Sequence, residues 1–360
     1  MTIHPANPAS RPGGAAASPP GLADRTQMQH RLFAELSAMF GKEVPLYDKA
    51  LDVNRACNRA VCTLLGELHP GFAISDEELE KTSGERHGAI RIGRPDEYRW
   101  IARFFAQFGM EPHSFYDMAA LGTKSQPIIA TAFRARRNPD HRVFTSLLMT
   151  DYFDPATRER IDRLLSQRQV FSDAAKALIE KAERQGGLDW ADAEALIREG
   201  TQRIFKWTGR AQDHALYKEL SEGGFKIAAD IACFERHHLN HLTPNTLCMD
   251  LYTAAMKFCL GEIDEAGFRV RALSALQALA GSAGRDWMRL HFKHLARERV
   301  ELGDGIPPRA IDGGRLSRLI DSLVARLTKP DLQLRSLKHN GFKDFTEGPS
   351  ADTPIFLRQA

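Results

Sequence analysis

Apolar residues recur at helical spacing soon after residue 23. Met28, Leu32, Phe33, Leu36 and Phe40 fall on one stripe, and Gly41 sits where a C-cap belongs. A second helix is predicted over 44–68, stopped by Pro70-Gly71. The pattern then shortens: residues 87–93 are apolar and glycine-bounded, which predicts a buried strand. Pro95 and Asp96 open a helix whose apolar residues are Trp100, Ile101, Phe104, Phe105 and Phe108, ending at Gly109. Strand-like runs follow at 113–118, 127–133 and 142–148. Strand, helix and three strands, without the alternating helices of a doubly wound sheet, predict an α+β fold.

From 155 to about 220 the pattern is helical again, with turns at Gly186-Gly187 and Gly209. A further strand is predicted at 237–242, helices at 251–260 and over much of 264–328, and strands at 335–345 and 354–358. Residues 1–23 are rich in Pro, Ala, Ser and Gly and bury too little apolar surface to offset their ordering entropy. They read as a disordered tail. Residues 24–360 then form a single domain with helical insertions near 155–220 and 260–330. A faint internal repeat runs through it, because His87 and His241 each stand at the head of a strand, a turn and a helix. Two such modules folded together would bring both histidines to a shared cleft.

Composition narrows the function classes. With 49 basic against 46 acidic residues the net charge is only +3, so nucleic acid and membrane surfaces are not expected partners without a clustered patch. The short basic run at 134–137 has no interleaved aromatics and reads as a solvated loop. No stretch reaches the roughly 20 apolar residues of a membrane span, and no secretory leader is evident. Five scattered cysteines with no CxxC pair fit a reducing, cytoplasmic compartment. There is no P-loop, no GxGxxG after a strand and no GxSxG elbow. Thirteen histidines remain, and the question is which of them converge.

Three segments carry candidate chemistry. In Arg86-His87-Gly88-Ala89-Ile90-Arg91, strand alternation puts His87, Ala89 and Arg91 on one face. An imidazole and a guanidinium so placed suit a metal ligand beside a carboxylate anchor; a strand-end histidine and an exposed arginine are the plain alternative. In His237-His238-Leu239-Asn240-His241, a strand would put His237 and His241 on one face and His238 opposite. A helix would make neighbours of the 237/241 and 238/241 pairs, and a polar surface turn needs neither. Glu347 closes a strand before Gly348-Pro349 and matters only as a third member of a set. Two histidines and one carboxylate leave adjacent positions open and suit non-haem Fe(II), whereas tetrahedral zinc leaves one.

These segments, in this order, resemble the 2-oxoadipate dioxygenase/decarboxylase (hydroxyglutarate synthase) family. The matching pieces are Glu85–Arg91, Gly109-Met110 leading to Tyr116-Asp117, Thr131–Arg134, Arg142–Leu148, Asn240–Pro244, Glu347–Pro349 and Leu357–Gln359. RHGAIR and NHLTP are the specific ones. The resemblance implies a vicinal-oxygen-chelate-like β-sheet core around a metal site, enlarged by helical insertions, and a mononuclear Fe(II) centre. By motif, the metal ligands would be His87, His241 and Glu347, and Arg91 would grip a substrate carboxylate. His238 is the reserve: a second-shell group, a substrate contact or an alternative ligand.

The implied chemistry is oxidative decarboxylation of a 2-oxo acid by O2, followed by hydroxylation of the same molecule. With 2-oxoadipate the product would be 2-hydroxyglutarate. After NHLTP the family usually has arginine and an Asp-Ile-Asp run, where this chain has Asn245 and Cys248-Met249-Asp250; a different 2-oxo acid is therefore open. The chain ends at Ala360, so substrate contacts that a longer C-terminal extension makes in some members are expected to come from elsewhere or to be lost. Two other functions fit the same fold: a glyoxalase-type metal-dependent lyase or isomerase, and a non-catalytic binding protein. Oligomeric state is left open.

Overall fold

The computed structural model describes residues 21–44, 46–68, 74–83, 85–120, 126–135, 141–281 and 310–334. The expected tail, the strands at 335–345 and 354–358, and Glu347 lie outside the described residues. Two long helices come first, α1 (Arg25–Glu43) and α2 (Leu46–Leu68), followed by the short α3 (Asp76–Thr82). Gly41 does not end α1. The Val44 N–H still donates to the Phe40 carbonyl, and a Cβ at position 41 would meet Asp48 Oδ1 at 2.6 Å, so the glycine admits α2 rather than capping α1. The pattern reading passed over α3, whose capping box joins Ser75 and Glu78.

Next comes the expected module: β1 (Glu85–Ile92), α4 (Pro95–Gln107), β2 (Met110–Asp117), β3 (Ile128–Ala135) and β4 (Arg142–Leu148). Helices α5 (Pro155–Ser166), α6 (Asp173–Gln185), α7 (Trp190–Glu199) and α8 (His214–Glu222) fill the first predicted helical stretch, and α9 (Lys226–Ala232) follows beyond its expected end. The chain returns to the sheet as β5 (Leu239–Pro244) and continues into α10 (Met249–Cys259), α11 (Glu265–Ala280) and α12 (Gly313–Leu327). Among the described residues no helix is long and apolar enough to cross a membrane.

The five strands lie in the order β2-β3-β4-β1-β5. β1 and β4 pair in parallel and the other neighbours are antiparallel, so β1 to β4 form a βαβββ unit. β5 opens the second strand-turn-helix and lies antiparallel to β1, which puts the two histidine-bearing strands side by side. A Cβ at Gly88 would meet Leu239 Cδ1 at 2.9 Å and Leu242 Cδ1 at 3.3 Å, so a larger residue there would push these two leucine side chains of β5 aside.

One apolar core lies between the sheet and α1, α4, α6 and α7, with Phe104 and Phe105 of α4 and Phe108 just after it fully buried at its centre. A second is the bundle of α2, α10, α11 and α12. A third packs α5, α8 and α9 against Ile128 and Leu148 of the sheet. All five cysteines are buried and none is disulfide-bonded. In the bundle, the Tyr252 hydroxyl is buried with no hydrogen-bond partner among the described residues, and burial among thiols pushes its pKa upward.

A buried charge pair ties these parts together. Glu97 Oε2 accepts from the Gly93 and Arg94 N–H groups at 3.0 Å each, capping α4. The Arg168 fork donates to both Glu97 oxygens at 3.2 and 3.0 Å, and its third nitrogen donates to the carbonyls of Ile231 and Phe234 at 2.7 and 3.0 Å. His237 Nε2 comes within 3.2 Å of Glu97 Oε2, off the line of a good hydrogen bond. Burial would raise the Glu97 carboxyl, but the His237 contact and the charges of Arg168 and Arg94 outweigh it and hold it at about 2. Burial pushes His237 below its ordinary value. With that ring neutral, the ionised Glu97 rests chiefly on Arg168.

Two stability predictions follow from these buried groups. Glu97→Gln strands the Arg168 charge and is expected to cost about 3–5 kcal/mol at pH 7. A lowered carboxylate pKa contributes stability above the unfolded value and loses it as pH falls through the folded one. The gap to wild type in urea titrations should therefore shrink from about pH 4.5 towards 2. His237, neutral in the fold, adds its own loss of stability in both proteins as pH falls below about 6.5. Tyr252→Phe removes a buried unpaired hydroxyl and is expected to raise stability by about 1 kcal/mol in the same assay; a clear loss would show that the hydroxyl is satisfied.

Candidate functional site

The site grows from β1. The pleat assigns positions 87, 89 and 91 to one face, and the register sets position 87 opposite Thr243 and Ala89 opposite His241. Positions 87 and 241 are thus diagonal neighbours across the β1–β5 pair. On the other side of β1, Arg91 stands beside Ser146 of β4. Arg91, His238 and His241 are all buried, at 8%, 4% and 9% exposure, which removes water competition for their polar atoms.

Arg91 is held at every nitrogen. Its Nε donates to Asp230 Oδ2 at 3.0 Å, one terminal nitrogen to Ser146 Oγ at 3.3 Å and the other to Asn240 Oδ1 at 2.6 Å. Among the described residues these bonds use three of its five N–H groups. Asp230, on α9, also accepts from Asn240 Nδ2 at 2.9 Å and lies 2.9 Å from His238 Nε2. Burial would raise its carboxyl, yet His238 and Arg91 hold it at about 2, so it is ionised at neutral pH. His241 Nδ1 lies 3.4 Å from Asn240 Oδ1.

The sequence-predicted residues divide accordingly. Arg91, His238 and His241 come together. His87 takes its expected place on β1, and Glu347 lies outside the described residues. His237 does not share a strand face with His241: the strand begins only at Leu239, and the His237 ring is buried against Glu97 instead. Among the described residues no three His, Cys, Asp or Glu side chains are gathered to hold a metal. The sequence reading missed Asp230 and Ser146 and quoted Asn240 without a role. Asp230 sits on a different helix, and no spacing rule links it to Arg91; Asn240 stood within NHLTP and was the one signal available.

The loop after β5 is anchored from α2. Asn58 Nδ2 donates to the Asn245 carbonyl at 2.8 Å and to Ser83 Oγ at 2.9 Å, and its Oδ1 accepts from the Leu247 N–H at 2.9 Å. Asn54 Nδ2 donates to the same Asn245 carbonyl at 3.1 Å, while its Oδ1 accepts from Thr246 Oγ1 at 2.8 Å. Two asparagines one helical turn apart thus fix the exit of the strand that carries His241.

Comparison with known proteins points one way. The model of the family described as 2-oxoadipate dioxygenase/decarboxylase matches residues 32–259. Proteins named 2-oxoadipate dioxygenase/decarboxylase from Pseudomonas putida and Escherichia coli are 38% identical over 229 residues and 35% identical over 241 residues. Those matches cover 62% and 65% of this chain and 48% and 52% of the relatives. The crystal structure of the Pseudomonas putida hydroxyglutarate synthase in complex with 2-oxoadipate is similar at a TM-score of 0.56 and 34% identity, over 66% of this chain and 53% of that one. A further structure of the Pseudomonas putida hydroxyglutarate synthase gives 0.54 and 26%, over 89% and 79%. The chain spans about half the length of the curated relatives it matches.

The cluster around Arg91 predicts energetic coupling. In a double-mutant cycle of Arg91→Ala and Asp230→Ala, followed by chemical denaturation, the second substitution is expected to cost less than it does alone. The coupling should be about 0.5–3 kcal/mol; strict additivity would count against the pairing.

Proposed function

Because this chain belongs to the 2-oxoadipate dioxygenase/decarboxylase family, we propose that it is an Fe(II)-dependent dioxygenase that oxidatively decarboxylates a 2-oxoadipate-like 2-oxo acid and hydroxylates the same molecule to a 2-hydroxy acid. The observation that carries this reading is the placement of a buried, pre-oriented Arg91 on the sheet face that also holds His241 and position 87. Two imidazoles and a carboxylate form a donor set that fits ferrous iron. His87, His241 and Glu347 would hold it, with His238 as the reserve. When bound, the metal supplies chelation of the 2-oxo acid and activation of O2.

The remaining work falls to the protein's own groups. Arg91 meets a substrate carboxylate through N–H groups beyond those given to Asp230, Ser146 and Asn240, and those three partners prevent it from swinging away. Asp230 keeps the guanidinium oriented and offsets its charge. Burial keeps bulk water from the reacting end of the substrate. Asn245 stands where the family usually carries arginine, so one cation fewer faces the substrate. 2-Oxo acids whose second group is polar but uncharged therefore compete with 2-oxoadipate. The catalytic domain is assigned to 24–360 with its helices as insertions, and free buried cysteines support a cytoplasmic location.

The test is a screen of 2-oxo acids with anaerobically purified, Fe(II)-loaded protein, following O2 uptake and CO2 release. Equimolar O2 consumption and CO2 release are expected, with His87→Ala and Glu347→Ala inactive and Arg91→Lys raising KM more than it lowers kcat. Turnover without O2 would favour the glyoxalase-type reaction. Failure to retain any stoichiometric metal would favour a binding protein.

A further inference from the structure

A β-bulge lies at the centre of the site. Ala89 pairs with His241 and the next residue, Ile90, with Leu239, so Asn240 is an extra residue on β5 with no partner on β1. In a regular strand, residues 240 and 241 would point to opposite faces. The bulge removes that alternation and re-aims a side chain. Both side chains consequently reach the side of the sheet that carries Arg91, and Asn240 touches Arg91, Asp230 and His241 together.

The chemistry of its neighbours fixes which way the Asn240 carboxamide faces. Arg91 can only donate and the ionised Asp230 can only accept. The amide nitrogen must therefore face Asp230 and the oxygen must face Arg91, as found at 2.9 and 2.6 Å. That oxygen is also the atom near His241 Nδ1, and an acceptor there selects the tautomer with the proton on Nδ1 and the lone pair on Nε2. We propose that Asn240 is a positioning residue that uses one carboxamide to set both the tautomer of His241 and the orientation of Arg91. This rests on the reading of His241 as a metal ligand. It assigns Nε2 as the ligating atom and makes metal affinity and substrate grip depend on the same side chain. Partners of this kind on ligating histidines are worth about 10–100-fold in metal affinity.

The test uses the full chain with 15N-labelled histidine rings. In metal-free protein, two-bond 1H–15N spectra are expected to show His241 as the Nδ1–H form, its signals assigned by their loss in His241→Ala. Asn240→Leu removes the acceptor while keeping the number and branching of the side-chain heavy atoms. It should shift His241 away from that form and weaken binding of Co(II), added alone, by about 10–100-fold. Asn240→Asp keeps an acceptor towards His241 and Arg91, with one proton shared between its second oxygen and Asp230 in place of the amide donor, and should retain the Nδ1–H form, a rescue that general loosening of the fold would not produce. Wild-type tautomer and Co(II) affinity in Asn240→Leu would overturn the proposal. Where the leucine variant does not fold, loss of the Nδ1–H form in Asn240→Asp does so. If the expected spectra and Co(II) shift are found in a protein that consumes no O2 with any 2-oxo acid, the role of Asn240 stands and the dioxygenase reading falls.

Discussion

The bidentate pair of Glu97 and Arg168 is the constraint on which the arrangement depends. Both side chains are almost fully shielded from water, and a buried charge is tolerated only when its partner and its other hydrogen bonds are in place. Satisfying them fixes several segments at once: the turn from β1 into α4, the link between α5 and α6, and the chain leaving α9. This last segment leads through His237 and His238 into β5. The start of the second module is therefore located against the first by a charge requirement as well as by the apolar core beneath α4.

The same stretch of chain serves two buried carboxylates in succession. His237 turns towards Glu97 and His238 towards Asp230, one residue apart and on opposite sides of the backbone. A sequence reading cannot tell these neighbours apart, because each is a histidine in a polar run. The difference lies in Glu97 and Asp230, which are far away in sequence. The strand consequently begins two residues later than periodicity predicts, since two successive residues already committed to different partners do not pair with β1.

Much of the rest was legible for definite reasons. The βαβββ unit showed itself because Pro95 and the aromatic stripe of α4 mark a helix between apolar runs, and because β4 needed no correction at either end. His87, Arg91 and His241 could be singled out because strand alternation and the RHGAIR and NHLTP motifs are local properties. Asp230, Ser146 and the bulge at Asn240 could not, because they follow from pairing and from a helix packed across β1 and β4. Gly41 was misread because a close helix approach and a C-cap both select glycine. His238, kept in reserve, does join the cluster, through Asp230 rather than through any neighbour in sequence.

The anchoring of the β5 exit separates the position of the loop from the identity of one of its residues. Asn54 and Asn58 hold backbone atoms of residues 245 and 247. A grip on the backbone is indifferent to which side chain stands at 245, so these bonds locate β5 and α10 whatever residue that position carries. The face carrying Arg91, Asn240 and His241 is therefore set by atoms that every residue type shares, and not by the side chain that follows NHLTP.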